Sequence, residues 1–275
     1  MDFFEAVVLG IVEGLTEFLP VSSTGHLTIF EKWLGLPIDA REVTAFTAVI
    51  QIGAIMAVLV YFRSDLWRIF RAWLIGLFKP EYRGSFDHRF GWYVIVGSIP
   101  IVIAGLAGES LITGPLRNLW WVAGSLIVWS AVLVLAERVG TQKRGERDMT
   151  MRDTVLIGVA QCIALVPGVS RSGATISAGL MLGLDRVTAT RMSFFLSIPA
   201  LVGAGLYELP EALSGGIGVA ETIVATVVSF VVAYAAVAWL LKFVAGHSLA
   251  LFVWYRLAVG GLLVVLLATG AMSAT

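Results

Sequence analysis

Glu13 and Glu17 stand four residues apart in an otherwise apolar stretch, residues 10–28, GIVEGLTEFLPVSSTGHLT. That spacing puts both carboxylates on one helix face. There they can share a divalent cation, face a permanent cation, or take up a proton. Ser22 and Ser23 follow Pro20, and His26 lies one helical turn beyond them. A serine and a histidine three or four residues apart come within hydrogen-bonding reach, as an activated nucleophile and its base do. Farther along, Arg171 stands in Ser170-Arg171-Ser172-Gly173, directly after a Pro-Gly break. A planar, permanently charged donor at a helix N-terminus, with the hydroxyls of Ser170, Ser172 and Thr175 beside it, is built to hold an anion.

These two groups of residues occupy copies of one segment. Residues 158–176, GVAQCIALVPGVSRSGATI, repeat residues 10–28 at a constant offset of 148. Gly10 pairs with Gly158, Glu13 with Gln161, Ser22 with Ser170, Thr24 with Ser172, and Gly25 with Gly173. The same register pairs Leu34-Gly35-Leu36 with Leu182-Gly183-Leu184 and Phe46 with Phe194. A register held without a gap means that two halves of one chain share a fold. The copies differ where chemistry differs: Glu17, Ser23 and His26 correspond to Leu165, Arg171 and Ala174. The first copy carries acid–base and metal-type groups, and the second carries anion-holding groups.

The medium follows from composition. The chain has 275 residues, 58% of them hydrophobic and 14% charged, with a mean hydropathy of +0.90. Soluble domains carry about 25% charged residues, so this is an integral membrane protein. A formal net charge of zero gives no electrostatic case for nucleic acid as a partner. The single cysteine, Cys162, has no disulfide partner or metal-ligand companion and reads as a buried, inert thiol. The acidic N-terminus, MDFFEAVV, does not read as a cleaved signal peptide.

The elements that must position the two motifs can be placed from hydropathy and breakers. Residues 3–19 read as a helix stopped by Pro20, and 23–34 as a short helix stopped by Gly35. The short helix reaches only ~16–18 Å against a ~30 Å hydrocarbon core, so residues 3–35 form a re-entrant hairpin. A second hairpin occupies 153–184, broken at Pro167-Gly168. Spans are expected at 43–62, 91–112, 117–137, 187–208, 217–244 and 251–270, with an interfacial amphipathic helix at 64–79 and a short link around Gly114-Pro115. The fold class is thus an all-α integral membrane protein, with six transmembrane helices and two re-entrant helical hairpins. It forms one membrane domain over 1–275, with repeat halves 1–137 and 153–275. Basic residues crowd the 63–90 and 138–152 connections. The positive-inside rule makes both cytoplasmic and puts both termini on the outer, periplasmic side. Three spans separate the hairpins, so the repeat has inverted topology and its breaks meet near the midplane.

In such a setting each ionised carboxylate costs ~2.5–3.5 kcal/mol, and the Glu13–Glu17 pair roughly 5–7 kcal/mol. A cation, an arginine, a raised pKa or a wet cavity must offset that. Joined at the midplane, the hairpins would form a composite site for a phosphorylated ligand. Gln51, in the third helix, is assigned to a helix–helix hydrogen bond. On the residues alone, a membrane phosphatase and an anion-coupled transporter are almost equally supported, since broken helices in inverted repeats also build carriers.

The motifs Glu13-Gly-Leu-Thr-Glu17-Phe-Leu-Pro-Val-Ser-Ser-Thr-Gly-His26 and Pro167-Gly-Val-Ser-Arg-Ser-Gly-Ala-Thr175 resemble those of the undecaprenyl-pyrophosphate phosphatase family, also known as the bacitracin-resistance protein family. The likeness covers nearly the whole chain, without a departure at a motif position. It implies an enzyme of the bacterial plasma (inner) membrane that removes one phosphate from a C55 polyprenyl pyrophosphate. The product regenerates the lipid carrier for cell-wall precursors. It also implies a divalent cation, Mg2+ or Ca2+, with Glu13 and Glu17 as its ligands. Glu17, Ser23, His26 and Arg171 match the family's catalytic residues. Ser22, Thr24, Ser170, Ser172, Gly173 and Thr175 are then assigned to substrate binding. Either Ser23 attacks phosphorus, with His26 or Glu17 as base, or one of these activates a water. Lipid-phosphate flipping is a compatible second activity, and a homodimer is a compatible assembly.

Overall fold

The computed structural model describes residues 1–38, 40–112, 116, 118–214 and 217–274; the expected link around Gly114-Pro115 lies outside them. Among the described residues there is no β-strand, only an isolated bridge between Arg144 and Leu184. The helices are α1 (Phe3–Thr16), α2 (Ser23–Trp33), α3 (Arg41–Tyr61), α4 (Arg63–Phe78), α5 (Phe86–Ile112), α6 (Leu119–Val139), α7 (Met151–Cys162), α8 (Arg171–Met181), α9 (Arg186–Ser214), α10 (Val219–Gly246) and α11 (Ala250–Ala268). Six of them, α3, α5, α6, α9, α10 and α11, contain segments long and apolar enough to cross a membrane. The chain is therefore an all-helical, multi-pass membrane protein.

The offset of 148 is structural as well as sequential. α1 and α2 correspond to α7 and α8, and each pair is a helix, a break and a short helix. Gly35 and Gly183 end the short helices at φ of 76° and 85°, where a side chain would be strained. α1 packs on α10 as α7 packs on α5. A Cβ on Gly10 would come 2.6 Å from the Ala225 carbonyl, and one on Gly158 would strike the Gly97 carbonyl. Equivalent glycines thus let equivalent helices touch backbone to backbone.

α1 ends one turn earlier than the expected residue 19. Pro20 disfavours helical geometry at Leu19, and the chain unwinds ahead of it. The Glu17 amide still donates to the Glu13 carbonyl, so the two carboxylates keep a common face. Cys162 is half-buried rather than buried, its thiol donating to the Gly158 carbonyl.

α4 is amphipathic as expected, with Trp67, Phe70 and Phe78 exposed beside its arginines. The charged connections gather at one end of the molecule. Arg191 of α9 binds Asp65 of α4 at 2.9 Å and Glu146 of the 138–152 loop at 3.4 Å, and Arg186 binds Glu137 at 2.6 Å. Arg144 donates to both Asp153 oxygens, at 3.1 and 2.6 Å, and to the Leu182 and Asp148 carbonyls. The loop is thereby fastened to the start of α7 and the end of α8.

Burial pushes the Asp153 carboxyl up, but hydrogen bonds from Arg144 and Thr150 outweigh it and hold it below the ordinary aspartate value. A depressed folded-state value stabilises above the unfolded value of ~3.9 and is lost as pH falls through the lower one. Asp153→Asn should therefore unfold with a stability loss of about 2 kcal/mol at pH 7. The gap from the parent should close as pH is lowered below ~4. Melting curves across pH check this, and a gap that persists at low pH would contradict it.

Candidate active site

The two hairpin breaks bring two helix N-termini face to face. Ser22 and Ser170 cap α2 and α8 from the same left-handed conformation, φ 78° in both. Each hydroxyl accepts the amide three residues on, Gly25 or Gly173. A serine at positive φ is strained, and such strain concentrates where surroundings over-determine the backbone. Here the surroundings are the other hairpin. Ser22 Oγ also accepts the Gly168 amide at 3.2 Å, and Ser172 Oγ donates to the Leu19 carbonyl at 2.8 Å. The breaks are stapled to each other across 146 and 153 residues of chain.

A cavity of about 180 Å3 opens beside these termini. Its polar side is Glu17, Ser22, Ser23 and Thr24 from the first hairpin and Ser170 and Arg171 from the second. Gln51 of α3 also lines it, in place of the expected helix–helix role. Its apolar side is Ile101, Ala164, Leu165, Ala200, Leu201 and Ala204. At its centre the Arg171 guanidinium pairs with Glu17 Oε1, while the Ser23 hydroxyl donates to Glu17 Oε2. One carboxylate thus joins the hydroxyl of the first hairpin to the cation of the second. The N-terminal ends of α2 and α8 add the positive ends of two helix dipoles to the same space.

Other expected site residues stand behind this surface. Ser23 and His26 do not pair. The His26 ring donates from Nδ1 to the Ser22 carbonyl at 2.7 Å, and Nε2 accepts the Tyr255 hydroxyl at 2.8 Å. A carbonyl only accepts, so Nδ1 carries the proton and Nε2 is the acceptor. His26 also stacks on Tyr255, with ring centroids 5.5 Å apart. Ser172 turns to Leu19, and Gly173 packs under Ser170 and Trp129. Thr175 is fully buried and donates to Ser193 Oγ at 2.7 Å.

Glu13 lies beneath Glu17, fully buried, and among the described residues neither of its oxygens has a hydrogen-bond donor. The charged groups acting on it are Glu17 and Arg171. Its repeat counterpart Gln161 is also fully buried with its amide unsatisfied. Unsatisfied buried polar atoms call for an occupant such as a water or an ion. Among the described residues no three His, Cys, Asp or Glu side chains gather as a metal cage.

Two residues were not singled out from the sequence. Tyr255 holds His26, and Arg256 is wholly buried against the breaks. The signal for Arg256 was present. An arginine inside an apolar span marks a functional site by default.

Comparison with known proteins shows the family of the chain. The family model described as Bacitracin resistance protein BacA matches residues 6–262. The chain belongs to that family. The match takes in both hairpins and extends through Tyr255 and Arg256, so the whole site described above lies inside the BacA family segment. Similar proteins include "Undecaprenyl-diphosphatase 3" of Frankia casuarinae, 58% identical over 100% of both chains. "Undecaprenyl-diphosphatase 1" of Streptomyces coelicolor is 61% identical over 98% of this chain and 97% of its own. "Undecaprenyl-diphosphatase" of Acidothermus cellulolyticus is 55% identical over the full length of both.

Proposed function

We propose that this BacA-family protein hydrolyses undecaprenyl pyrophosphate to undecaprenyl phosphate and inorganic phosphate in the bacterial plasma membrane. The observation that carries the reading is the Ser23–Glu17–Arg171 chain across the two breaks, at the wall of a cavity polar on one side and apolar on the other. A pyrophosphate fits the polar side and a prenyl tail the apolar side. The relatives' names favour a diphosphatase over a carrier.

In this reading Arg171 and the helix ends of α2 and α8 bind the pyrophosphate, with Ser22, Thr24 and Ser170 around it. Ser23 Oγ attacks the terminal phosphorus as its proton passes to Glu17, the acceptor it already faces. The bond from phosphorus to the bridging oxygen breaks, and the monophosphorylated lipid leaves. Water then releases phosphate from Ser23. Stabilising the charge spread over the phosphoryl oxygens is most of the task, and Arg171 performs it. His26, engaged at both nitrogens, orients the first turn of α2. Glu13, whose oxygens have no hydrogen-bond donor among the described residues, would hold a divalent cation together with Glu17. When bound, it would neutralise phosphoryl charge. The hairpins are re-entrant, because 11-residue α2 and α8 reach about 16 Å of a ~30 Å core, and inverted, because three spans separate them. The termini then lie outside.

The test is phosphate release from a polyprenyl pyrophosphate by the purified protein, with Mg2+ and with chelator. The expected result is release with Mg2+ and its loss in chelator. Release that survives the chelator would keep the enzyme and remove the cation. No release from folded protein under any condition would return the carrier reading to first place.

A further inference from the structure

We propose that Arg256 is a positioning residue that locks the two hairpin breaks in register, holding Ser23 and Arg171 on one phosphorus atom. The inference rests on the phosphatase reading. Arg256 is 0% exposed, near the start of the apolar helix α11. Its Nη1 donates to the Pro20 carbonyl at 3.1 Å, and its Nη2 to the Gly168 carbonyl at 2.9 Å and the Ser125 carbonyl at 3.3 Å. Pro20 and Gly168 are equivalent under the offset of 148. A single guanidinium therefore grips the same position in both repeats and ties it to α6.

Among the described residues no carboxylate pairs with Arg256. Its Nη groups bond backbone carbonyls alone, while its Nε has no partner among the described residues; a charge buried in a span at this cost is there for geometry. The flat fork presents its donors to two converging carbonyls in a fixed geometry, which a lysine ammonium lacks. Arg256 reaches neither the cavity nor its lining, so it acts through Pro20 and Gly168. Those residues lead into Ser23 and Arg171 within three positions each. A displacement of about 1 Å between reacting groups costs on the order of 100-fold in rate, whereas ground-state binding by Arg171 and the tail survives it.

The full chain with Arg256→Met or Arg256→Lys would be assayed for phosphate release from a polyprenyl pyrophosphate. The readouts are kcat and KM separately, with a melting curve for each variant. The expected kcat loss is about 100-fold for Met and about 10-fold for Lys, with KM within about threefold. Spin labels on Trp33→Cys and Met181→Cys, at the equivalent exposed ends of α2 and α8, in a Cys162→Ala background, give the second readout. Their distance distribution should broaden or shift when Arg256→Met is added, and less so with Arg256→Lys. Lost protein or a uniformly inactive fraction would not do this. If Arg256→Met does not accumulate folded, Arg256→Lys decides. A folded variant with wild-type kcat, or reduced kcat with an unchanged distance distribution, overturns the inference. If the parent protein itself releases no phosphate, it is the phosphatase reading that falls.

Discussion

Arg171→Ala should lower kcat/KM for phosphate release by at least about 1000-fold, the scale of an arginine that meets transition-state charge on a transferred phosphoryl group. Among the described residues no other basic side chain lines the cavity, so none of them can take over. The substitution does two kinds of damage. It removes the cation that faces the anion site, and it strands Glu17, whose Oε1 faces that guanidinium. Breaking a buried pair from one side costs about 3–5 kcal/mol, so a melting curve must accompany the assay. Arg171→Lys separates the two effects. It keeps the charge beside Glu17 but loses the planar fork, and should fold well while losing about 100-fold in rate. Activity of Arg171→Ala within tenfold of the parent would remove Arg171 from the reaction.

Ser23→Ala and Glu17→Gln are the second pair of large effects. The Ser23 hydroxyl donates to Glu17, which is the arrangement of a nucleophile and its base. Each change should lower kcat by about 1000-fold or more, and the double variant should be little worse than either alone, because the two act as a unit. Acid quench with substrate labelled in the terminal phosphate should leave label on Ser23 in the parent and none in Ser23→Ala. If Ser23→Ala stays within tenfold of the parent and no label is trapped, water is the attacking group. His26→Ala should cost less than either, because His26 has no bond to Ser23 to lose.

Much of this arrangement could be read from residue types and spacing. The repeat set the limits of both hairpins to within a few residues, and the six apolar runs marked the spans. The glutamate spacing placed two carboxylates on one face, and the complementary chemistry of the two motifs pointed to a shared site containing Glu17, Ser23 and Arg171. What escaped was contact without local pattern. Ser23 and His26 have the spacing of a pair, but Ser23 is the first residue of α2 and turns back to the break. His26 is pulled to the Ser22 carbonyl and to a tyrosine 229 residues away. Gln51 reads like any polar residue between packed helices, and only the packing of α3 against α1 and α9 puts it at the cavity. Arg256 carries the signal of a charge in an apolar span, but its three carbonyl partners lie on distant segments with no local pattern to name them.

The Arg256–Pro20 contact joins residues 236 apart, and that has a consequence for how the protein is made. Ribosomes extend a chain at about 5–20 residues per second, and the N-terminal part emerges first. The first hairpin is therefore synthesised on the order of 10–50 s before the arginine that fastens it. Until residues 168–171 follow, Glu13 and Glu17 lie in nascent chain without Arg171, and Ser22 without Gly168. The first half must wait, inside the insertion machinery or at the water interface, as a half-finished site with its acidic groups uncompensated. Its late partners make the final helix a checkpoint: a chain cut short between residues 204 and 256 has every lining residue of the cavity but not the clasp that closes it.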